Sequence, residues 1–591
     1  MLWTAIAAIP AVFAIQQLTS LLHNRSLARK TNLPYIIFPF SEANLFYIIL
    51  LETRWFRHCV NHFLPESWAS YIHDSTFKYR WTGKDRMAKE YGAVYLYVTP
   101  GGISCNVTDA NVVEEICKAR QSFVKPVKHL EAFNMYGTSV FTSEGPQWAY
   151  HHRYTAPAFN DKNNALVWEG TISQVQEMVE YWRERYSCHG QDGPEFVVPD
   201  VREDILKLSL NVISDAAFGV RLPFKPSSGV VQDNSDDLFK DSDVPPASYR
   251  FTFRGVMEYM NRSMLSVFVA NGILPKWVPR TIVPFFKKDF AAHEDLEHYL
   301  RALIKKAESS EDDTHNLLER LVRSRREGQE VTSKRDPGLS DAEVLGNVYI
   351  FSIAGHETTA TTLRFALALL AVDESIQDVL YREIVDFLGE SRDVWDYENA
   401  FPNLVTPLCI MLETLRLYPP VVSIPKLTAA SGADVTYEGE SHHLPPNVRV
   451  NLNCNALHNS EMYWGPDAKT FDPRRWDKRN PESFLAVNDG VEGLSAPGLE
   501  SQEIHKPHRG AFIPFSDGIR ACVGRKFAQA EFVATLVGLL QEYRVTPARL
   551  EGESHHDAKM RTEKALCNSS TFLTLALTDK VPLAFHRRKR H

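Results

Sequence analysis

FSDGIRACVG, residues 515–524, is the most informative segment of this chain. It places Cys522 in a loop flanked by glycines, with Arg520 two residues before the cysteine and an apolar, helix-like run after it. Gly518 and Gly524 allow the backbone to turn tightly and to lie close to a flat ligand, because neither has a Cβ atom. The loop amides and the positive end of the following helix would stabilise a negative sulfur. The segment therefore predicts a thiolate that is available to a ligand.

The chemistry of that thiolate indicates which ligand to expect. A thiolate is a soft, electron-donating group, and porphyrin iron is one of the few partners that use a single one. The pattern F-x-x-G-x-R-x-C-x-G resembles the haem-ligand signature of the cytochrome P450 family. The resemblance implies haem b with Cys522 as its axial ligand, Arg520 at a propionate and Phe515 packed on the sulfur side of the ring. The alternative is a buried structural cysteine in a glycine turn, which is the usual role of a lone cysteine.

A second segment predicts a long helix. Ser340-Asp341-Ala342-Glu343 has the form of a capping box, and nothing stops a helix before about residue 371. A helix of roughly 30 residues is about 45 Å long, which suits one that crosses the whole protein.

The middle of this helix, AGHETT at residues 354–359, carries groups suited to chemistry. A carboxylate beside two hydroxyls is out of place in a buried helix unless it is used. The hydroxyl of Thr358 can donate to the carbonyl of Ala354, four residues earlier, and Gly355 is expected to lower the local rigidity of the helix. With the family resemblance, Glu357 and Thr358 become the expected catalytic pair for proton delivery to dioxygen. The alternative is a slightly polar stripe at a helix–helix contact.

Glu413 and Arg416 stand at i and i+3 on one predicted helical face, a spacing that by default marks a common surface pair. FDPRRW, residues 471–476, adds Arg475 on a rigid turn. One carboxylate held by two guanidinium groups makes a fixed, buried junction. In the P450 family such a triad locks the segment that leads to the cysteine loop, and Glu413, Arg416 and Arg475 match it.

Two further positions match family residues that hold the haem propionates. WAYHHR, from Trp148 to Arg153, resembles the family's third helix, in which a tryptophan and a base four residues later contact a propionate. Counting from Trp148 gives His152, not the commoner arginine, so His152 and Arg153 both remain candidates. Lys426 stands where an arginine often reaches the other propionate. It keeps the charge but loses the bidentate geometry.

Composition excludes several other classes of protein. The chain has 591 residues, 44% hydrophobic and 23% charged, which is ordinary for a globular protein. Its eight cysteines are scattered without a Cys-x-x-Cys pair, which argues against a zinc site or a disulfide scaffold and indicates a reducing compartment. A net charge of −8 gives no indication of nucleic-acid binding.

The N-terminus predicts membrane targeting. Residues 1–23 are mostly apolar and are expected to form a single-pass anchor in the endoplasmic reticulum membrane. Basic residues after this run, Arg25, Arg29 and Lys30, would keep the catalytic domain cytosolic. A cleavable signal peptide is the competing interpretation, but no basic segment precedes the apolar run. Residues 24–54 are expected to form a linker with a second apolar segment.

The remaining residues, 55–591, are expected to form one haem domain, mainly α-helical with small β-sheets. Helical spacing of apolar residues predicts helices at Thr171–Arg185, Val201–Phe218, Glu294–Arg323 and Ser340–Ala371. Runs of β-branched and aromatic residues predict strands at Val94–Val98, Val448–Leu452 and Thr571–Leu577. Polar segments at Lys225–Ser248 and Lys478–Arg509 predict surface insertions or mobile loops. The resemblance, similar to fungal microsomal members, implies the P450 fold, a triangular helical prism that encloses haem.

The resemblance also implies a function. The expected reaction is a monooxygenation, in which one oxygen atom from O2 enters a lipophilic small molecule of fungal secondary metabolism. The chain has no convincing dinucleotide fingerprint, so electrons are expected from a separate NADPH-cytochrome P450 reductase, with cytochrome b5 as a further donor. Candidate pocket segments by resemblance are mostly apolar: Val124–Phe141, Phe251–Phe268, Tyr349–Ala354, Val421–Ile424 and Ser569–Leu573. The alternatives are a haem-thiolate isomerase, dehydratase or peroxygenase that needs no reductase, and a non-catalytic haem-binding protein.

Overall fold

The computed structural model describes residues 2–38, 50, 53–65, 69, 72–73, 81–188, 193–225, 238–239, 244–274, 277–280, 283–309, 316–330, 338–389, 395–487, 503–571 and 574–589. The chain forms two compact units, each built from separate stretches of sequence. The first unit comprises Met1–Pro126, Leu412–Cys522 and Lys564–Asp579. The second comprises Val127–Met411, Val523–Glu563 and Lys580–His591. The predicted single haem domain over residues 55–591 stays a prediction.

Most of the described regular structure is helical, as the sequence predicts. The α-helices are α1 Leu2–Arg29, α2 Arg54–Phe63, α3 Arg86–Tyr91, α4 Ala110–Lys118, α5 Gly145–Thr155, α6 Asp161–Tyr186, α7 Arg202–Phe218, α8 Phe253–Arg262, α9 Met264–Phe268, α10 Lys287–Ser309, α11 Leu317–Glu330, α12 Asp341–Val372, α13 Glu374–Leu388, α14 Tyr397–Ala400, α15 Val405–Leu417, α16 Cys454–His458, α17 Glu461–Trp464, α18 Phe484–Val487, α19 Arg525–Leu540 and α20 His555–Cys567. The helix predicted over Glu294–Arg323 is instead two helices, α10 and α11. Much of the two predicted surface insertions lies outside the described residues.

The strands form small sheets, also as predicted. They are β1 Tyr35–Ile37, β2 Val94–Thr99, β3 Gly102–Val107, β4 Phe123–Val124, β5 Phe196–Val198, β6 Ile424–Thr428, β7 Ala433–Tyr437, β8 Glu440–Leu444, β9 Arg449–Leu452, β10 Tyr543–Pro547, β11 Ser569–Thr571, β12 Leu575–Leu577 and β13 Leu583–Arg587. In the first unit, a six-stranded sheet has the order β1-β2-β3-β9-β6-β4, and β7–β8 and β11–β12 are separate pairs. In the second unit, β10, β13 and β5 form a three-stranded sheet.

The six-stranded sheet brings distant segments of the first unit together. β2 has the sequence VYLYVT and is buried along its whole length, as expected for β-branched and aromatic residues covered on both faces. β3 pairs with β9 in parallel, with Ser104 opposite Arg449. β6, which carries Lys426, runs antiparallel to β9. The sheet thereby fixes the position of a predicted propionate-binding residue.

The N-terminal helix differs from the predicted anchor. Among the residues that the structure describes, no helix is both long enough and apolar enough to cross a membrane. The predicted single-pass anchor over residues 1–23 is therefore not supported. Polar residues such as Gln16 and Gln17 interrupt the apolar run of α1. Near its end the helix is bonded to the six-stranded sheet, because the Asn24 side chain donates to the carbonyl of Thr99 at 2.8 Å.

The second unit contains the long helix that the sequence predicts. α12 has 32 residues, and its start is a complete capping box between Ser340 and Glu343. Most of its side chains are buried, and it packs on α7. The close approach of α7 explains Gly355: a Cβ atom there would lie 2.1 Å from Cδ1 of Ile213. Gly355 is therefore a packing requirement rather than a source of local flexibility.

Candidate functional site

The cysteine loop is held in shape by its own backbone. The amide of Cys522 donates to the carbonyl of Phe515 at 2.8 Å, which closes the loop at its two ends. Inside it, a short 3-10 turn runs over Gly518–Arg520, and the Asp517 carboxylate accepts from the Gly518 amide at 2.6 Å. Cys522 lies at the end of this loop with its side chain exposed. These hydrogen bonds fix the backbone that carries the Cys522 sulfur.

The two loop glycines have different reasons for being glycine. Gly518 has a φ of +68°, and a Cβ atom there would lie 2.8 Å from the carbonyl oxygen of Cys117. The tight turn predicted at Gly518 is confirmed. Gly524 has a φ of −87°, which any residue adopts. Its predicted role therefore depends only on the close approach of a flat ligand.

Exposure distinguishes Cys522 from other cysteines of the first unit. Cys105, Cys117 and Cys454 are buried, and burial raises the pKa of these thiols to about 12, about 11 and about 12 respectively. A buried thiol of that kind stays protonated and is a poor ligand. Cys567 is also exposed but is not flanked by a glycine turn. The donor chemistry of the first unit is thus suited to a single thiolate ligand at Cys522.

Lys426 is a buried cation whose charge acts on Cys117, a neighbour of this loop. Its side chain is buried on β6. Burial raises the pKa of Cys117, and the positive charge of Lys426 acts in the opposite direction, so the two side chains are close. Since Cys117 also contacts Gly518, the structure brings Lys426 near the cysteine loop. The half-buried Arg520 and Phe515 complete a set that fits a flat, anionic, thiolate-binding group such as haem.

The predicted triad is present in full. Oε1 and Oε2 of Glu413 each accept from Arg416, from Nη2 and Nε respectively, at 2.8 Å. Nε of Arg475 donates to Oε1 at 3.0 Å. All three side chains are buried. Burial alone would raise the pKa of Glu413, but the charges of Arg416 and Arg475 and their hydrogen bonds hold it below its usual value. The alternative of an exposed surface pair is wrong.

The hydrogen-bond network of the triad includes residues that the sequence motifs do not indicate. Trp476 donates its Nε1–H to Oε2 of Glu413 at 2.9 Å, and the amide of Asp472 donates to Oε1 at 3.0 Å. Nη1 of Arg416 donates to the carbonyl of His458 at 2.7 Å. His458 was not among the predicted site residues. The sequence offers little to identify it, because its contacts are with residues distant along the chain.

In the second unit, the polar middle of α12 has the predicted hydrogen bond. The hydroxyl of Thr358 donates to the carbonyl of Ala354 at 2.9 Å. Thr362 repeats the arrangement one turn later, donating to the carbonyl of Thr358 at 2.9 Å. Glu357 and Thr358 are both half-buried on the same turn of the helix. A carboxyl group and a hydroxyl group are thus adjacent on an otherwise buried helix.

Helix α5 brings Trp148 and His152 together but not Arg153. The rings of Trp148 and His152 are 4.8 Å apart between centroids, one helical turn from each other. Arg153 is exposed, with its guanidinium 5.4 Å from the ring of Tyr154. His151, the residue before His152, is fully buried. Its Nδ1 forms a hydrogen bond with Nδ2 of Asn347 on α12, at 3.0 Å. Neighbouring histidines on α5 therefore have separate roles.

Comparison with known proteins identifies the family. The sequence model described as Cytochrome P450 matches residues 81–574 of this chain. The chain belongs to the cytochrome P450 family. One relative is "Cytochrome P450 monooxygenase ORF6" of Penicillium roqueforti, which is 30% identical over 98% of this chain and 96% of the relative. A second is "Phomenoic acid biosynthesis cluster cytochrome P450 monooxygenase" of Leptosphaeria maculans, 22% identical over 92% of this chain and 91% of the relative.

A solved structure supports the same assignment at the level of the fold. The crystal structure of the cytochrome P450DA heme domain covers 85% of this chain and 92% of its own, with a TM-score of 0.62 and 20% sequence identity. The protein therefore has the P450 fold, and its relatives identify it as a P450 monooxygenase. P450s bind haem iron through a cysteine thiolate. The described geometry of Cys522, Arg520 and Lys426 fits that group.

Proposed function

We propose that this P450 is a haem-thiolate monooxygenase that inserts one oxygen atom from O2 into a lipophilic small molecule. Haem b, bound through Cys522, would supply the oxygen-activating chemistry. The observation that carries the proposal is the exposed Cys522 thiol at the end of a loop closed by the Cys522–Phe515 hydrogen bond. A thiolate fixed in this way donates electron density in the direction that favours cleavage of the O–O bond.

The cationic residues around the loop would orient the haem. We assign one propionate to Arg520 and Lys426 of the first unit. We assign the other to His152, with Trp148 packed beside it, because these two rings are in contact and Arg153 faces away to solvent. Lys426 offers a point charge without the paired geometry of an arginine. Burial of Lys426 strengthens its attraction for a carboxylate, since the local dielectric is low.

We assign proton delivery in the reaction to Thr358 and Glu357. The Thr358 hydroxyl donates to the Ala354 carbonyl, so one of its lone pairs remains directed away from that bond. A hydroxyl in this state accepts a hydrogen bond from a neighbouring acid or water and holds that proton donor in place. Glu357, the adjacent carboxyl group, is the acid assigned to this step. The same pair would be superfluous in an isomerase or dehydratase.

The substrate is expected to be apolar and to belong to secondary metabolism. The candidate pocket segments are mostly apolar, with Phe and Val the commonest apolar residues, which favours lipophilic ligands over charged ones. The Leptosphaeria maculans relative is named for a biosynthesis cluster, which supports a place in fungal secondary metabolism. Electrons would come from a separate NADPH-dependent reductase. Apolar residues of α1 such as Phe13 and Leu18, both more than half exposed, support association with the endoplasmic reticulum membrane.

The test is expression of the full chain together with a reductase in yeast microsomes. The reduced, carbon-monoxide-bound protein should show the long-wavelength band of thiolate-bound haem, and Cys522→Ala should lose it. Cys567→Ala removes another exposed cysteine of the first unit and should keep the band. Substrate oxidation should require NADPH and the reductase. Turnover from a hydroperoxide alone, or a normal band in Cys522→Ala, would contradict the proposal.

A second measurement tests the proton-delivery step. Thr358→Ala should lower the product formed per NADPH consumed by about a hundredfold, the lower end of what one positioned proton-transfer group contributes. Thr358→Ser should retain most of it. Thr362→Ala is the matched control, because Thr362 makes the same kind of hydrogen bond one turn away. Equal coupling in all three variants would remove Thr358 from the mechanism.

A further inference from the structure

His458 connects the buried triad to the segment that enters the cysteine loop. It is the last residue of α16 and is completely buried. Its backbone carbonyl accepts from Nη1 of Arg416 at 2.7 Å. Its ring atom Nε2 accepts from the backbone amide of Ile513 at 3.1 Å. A single residue is therefore bonded to the triad through its backbone and to residue 513 through its side chain.

The hydrogen bond to Ile513 fixes the protonation state of the His458 ring. An Nε2 atom that accepts from an amide carries no proton, so the ring is the neutral tautomer protonated on Nδ1. Burial, together with the positive charge of Arg416, lowers the pKa of His458 to about 3. The carbonyls of Leu415 and Arg416, at the end of α15, act in the other direction and favour a proton on the ring. The ring thus stays neutral, and its Nε2 atom accepts the hydrogen bond from the Ile513 amide.

Ile513 stands at the entrance to the loop. Its carbonyl accepts from the Ser516 amide at 3.0 Å, and the carbonyl of Phe515 accepts from Cys522 at 2.8 Å. These hydrogen bonds, together with the backbone of residues 513–516, therefore connect His458 to the cysteine. A displacement of the Ile513 backbone would be transmitted to the Cys522 sulfur.

An aromatic contact holds the same segment from the side. The ring of Phe512 lies 5.1 Å from the His458 ring and 4.7 Å from the Trp476 ring, measured between centroids. Trp476 in turn is bonded to Glu413. The residue before Ile513 is thus packed against a member of the triad's own hydrogen-bond network. Only the His458 ring provides a directional contact to the 513 amide among the described hydrogen bonds.

We propose that His458 is a positioning residue for the haem thiolate, acting as the neutral acceptor that holds the Ile513 amide and with it the Phe515–Cys522 loop. The inference rests on Cys522 being the haem ligand. Without the acceptor, the Ile513 N–H is buried with no partner, and the loop relaxes to satisfy it. The sulfur then moves from its position, and the thiolate bond to iron is more easily lost to protonation.

The experiment compares two amides at one position in the full-length, haem-loaded protein. The side chain of His458→Gln reaches the position of Nε2 and supplies an oxygen acceptor there, whereas His458→Asn reaches only as far as Nδ1. The readout is the fraction of the reduced, carbon-monoxide-bound protein that lacks the long-wavelength thiolate band, measured against pH. The ratio of the form without thiolate to the form with it should rise about fivefold or more in His458→Asn and stay near wild type in His458→Gln.

His442→Asn is the matched control. His442 is another buried histidine of the first unit, and its Nδ1 bonds to the Thr31 carbonyl at 2.9 Å instead of to the loop entrance. It should leave the thiolate band unchanged. Equal behaviour of His458→Asn and wild type would overturn the inference, and so would equal failure of the Gln and Asn variants. A wild-type protein without the thiolate band would instead overturn the assignment of Cys522, so the two failures are distinguishable.

Amide hydrogen exchange provides a second readout that does not depend on haem spectra. In the ferric proteins, a peptide covering residues 511–516 should exchange faster in His458→Asn than in wild type, whereas one covering β2 should not change. Unchanged exchange over residues 511–516 would contradict the hydrogen bond's role in holding the loop entrance.

Discussion

Trp476 donates its indole N–H to the carboxylate of Glu413 at 2.9 Å, inside a junction from which solvent is excluded. The carboxylate therefore receives hydrogen bonds from two arginines, an indole and a backbone amide. A buried charge of this kind is tolerated only because each of its lone pairs is used. The junction is consequently sensitive to the loss of the charge and much less sensitive to the loss of one donor.

Glu413→Gln should severely destabilise the first unit. The substitution keeps the shape of the side chain but removes the buried counter-charge of Arg416 and leaves Arg475 with Asp467 as its acidic partner, which costs about 3–5 kcal/mol. Trp476→Phe removes a single donor and should cost about 1–2 kcal/mol. Urea unfolding followed by tryptophan fluorescence and haem content measures both. Similar costs for the two variants would show that the charge is not the main contributor.

The stability contributed by His458 should depend on pH. An unfolded histidine has a pKa near 6.5, whereas burial holds the pKa of folded His458 at about 3. The unfolded chain therefore binds a proton that His458 does not bind in the folded protein. As a result, the free energy of unfolding decreases as pH falls from 6.5 towards 3. His458→Gln should reduce the loss of unfolding free energy between pH 7 and pH 5 by about 2 kcal/mol. The exposed His556→Gln serves as control, and an identical reduction there would refute the assignment to His458.

Gly355→Ala should reveal the close contact between α12 and α7. The added methyl group overlaps Cδ1 of Ile213, so Gly355→Ala alone should destabilise the protein by about 1–2 kcal/mol despite the better helix propensity of alanine. Ile213→Val removes that carbon atom. In the double variant the two effects should compensate, with a coupling energy of about 1–3 kcal/mol in thermal or urea unfolding. Additive effects would mean that the helices separate to admit the methyl group.

His152→Ala should weaken haem retention more than Arg153→Ala. The ring of His152 lies 4.8 Å from the ring of Trp148 at a tilt of 42°, whereas the Arg153 side chain is exposed. We expect the rate of haem transfer to an apoprotein acceptor to rise about tenfold in His152→Ala, corresponding to the loss of one charge-assisted hydrogen bond. Arg153→Ala should change the rate by less than about twofold, typical of a surface substitution. The opposite order would assign the propionate to Arg153.

Local sequence patterns predicted those features that depend on neighbours along the chain. The capping box at Ser340–Glu343 and the hydrogen bond from Thr358 to Ala354 span three or four residues, so the sequence contains both partners. The triad was predicted for a related reason, since its arginines occur within short motifs. The roles of the individual site residues were inferred from the same motifs and stay predictions.

Features that depend on tertiary packing were missed or misjudged. Gly355 was interpreted as a source of flexibility because Ile213, the side chain that requires it, belongs to another helix. His458 was missed because its partner Ile513 is 55 residues further along the chain. The anchor over residues 1–23 was predicted from a run of apolar residues. That run is the first part of a longer helix whose second half contains polar residues. The side chain of Asn24 in this second half is bonded to the sheet.

The order of strands in the six-stranded sheet has a consequence for biosynthesis. β3 is complete once residue 107 has been translated, yet its partner β9 begins only at Arg449. At about 5–20 residues per second, the ribosome needs roughly 20–70 s to make the intervening chain. Throughout that interval the β3 edge of the β2–β3 hairpin has no partner strand. We therefore expect yields in heterologous hosts to respond to the supply of chaperones that shield such an edge.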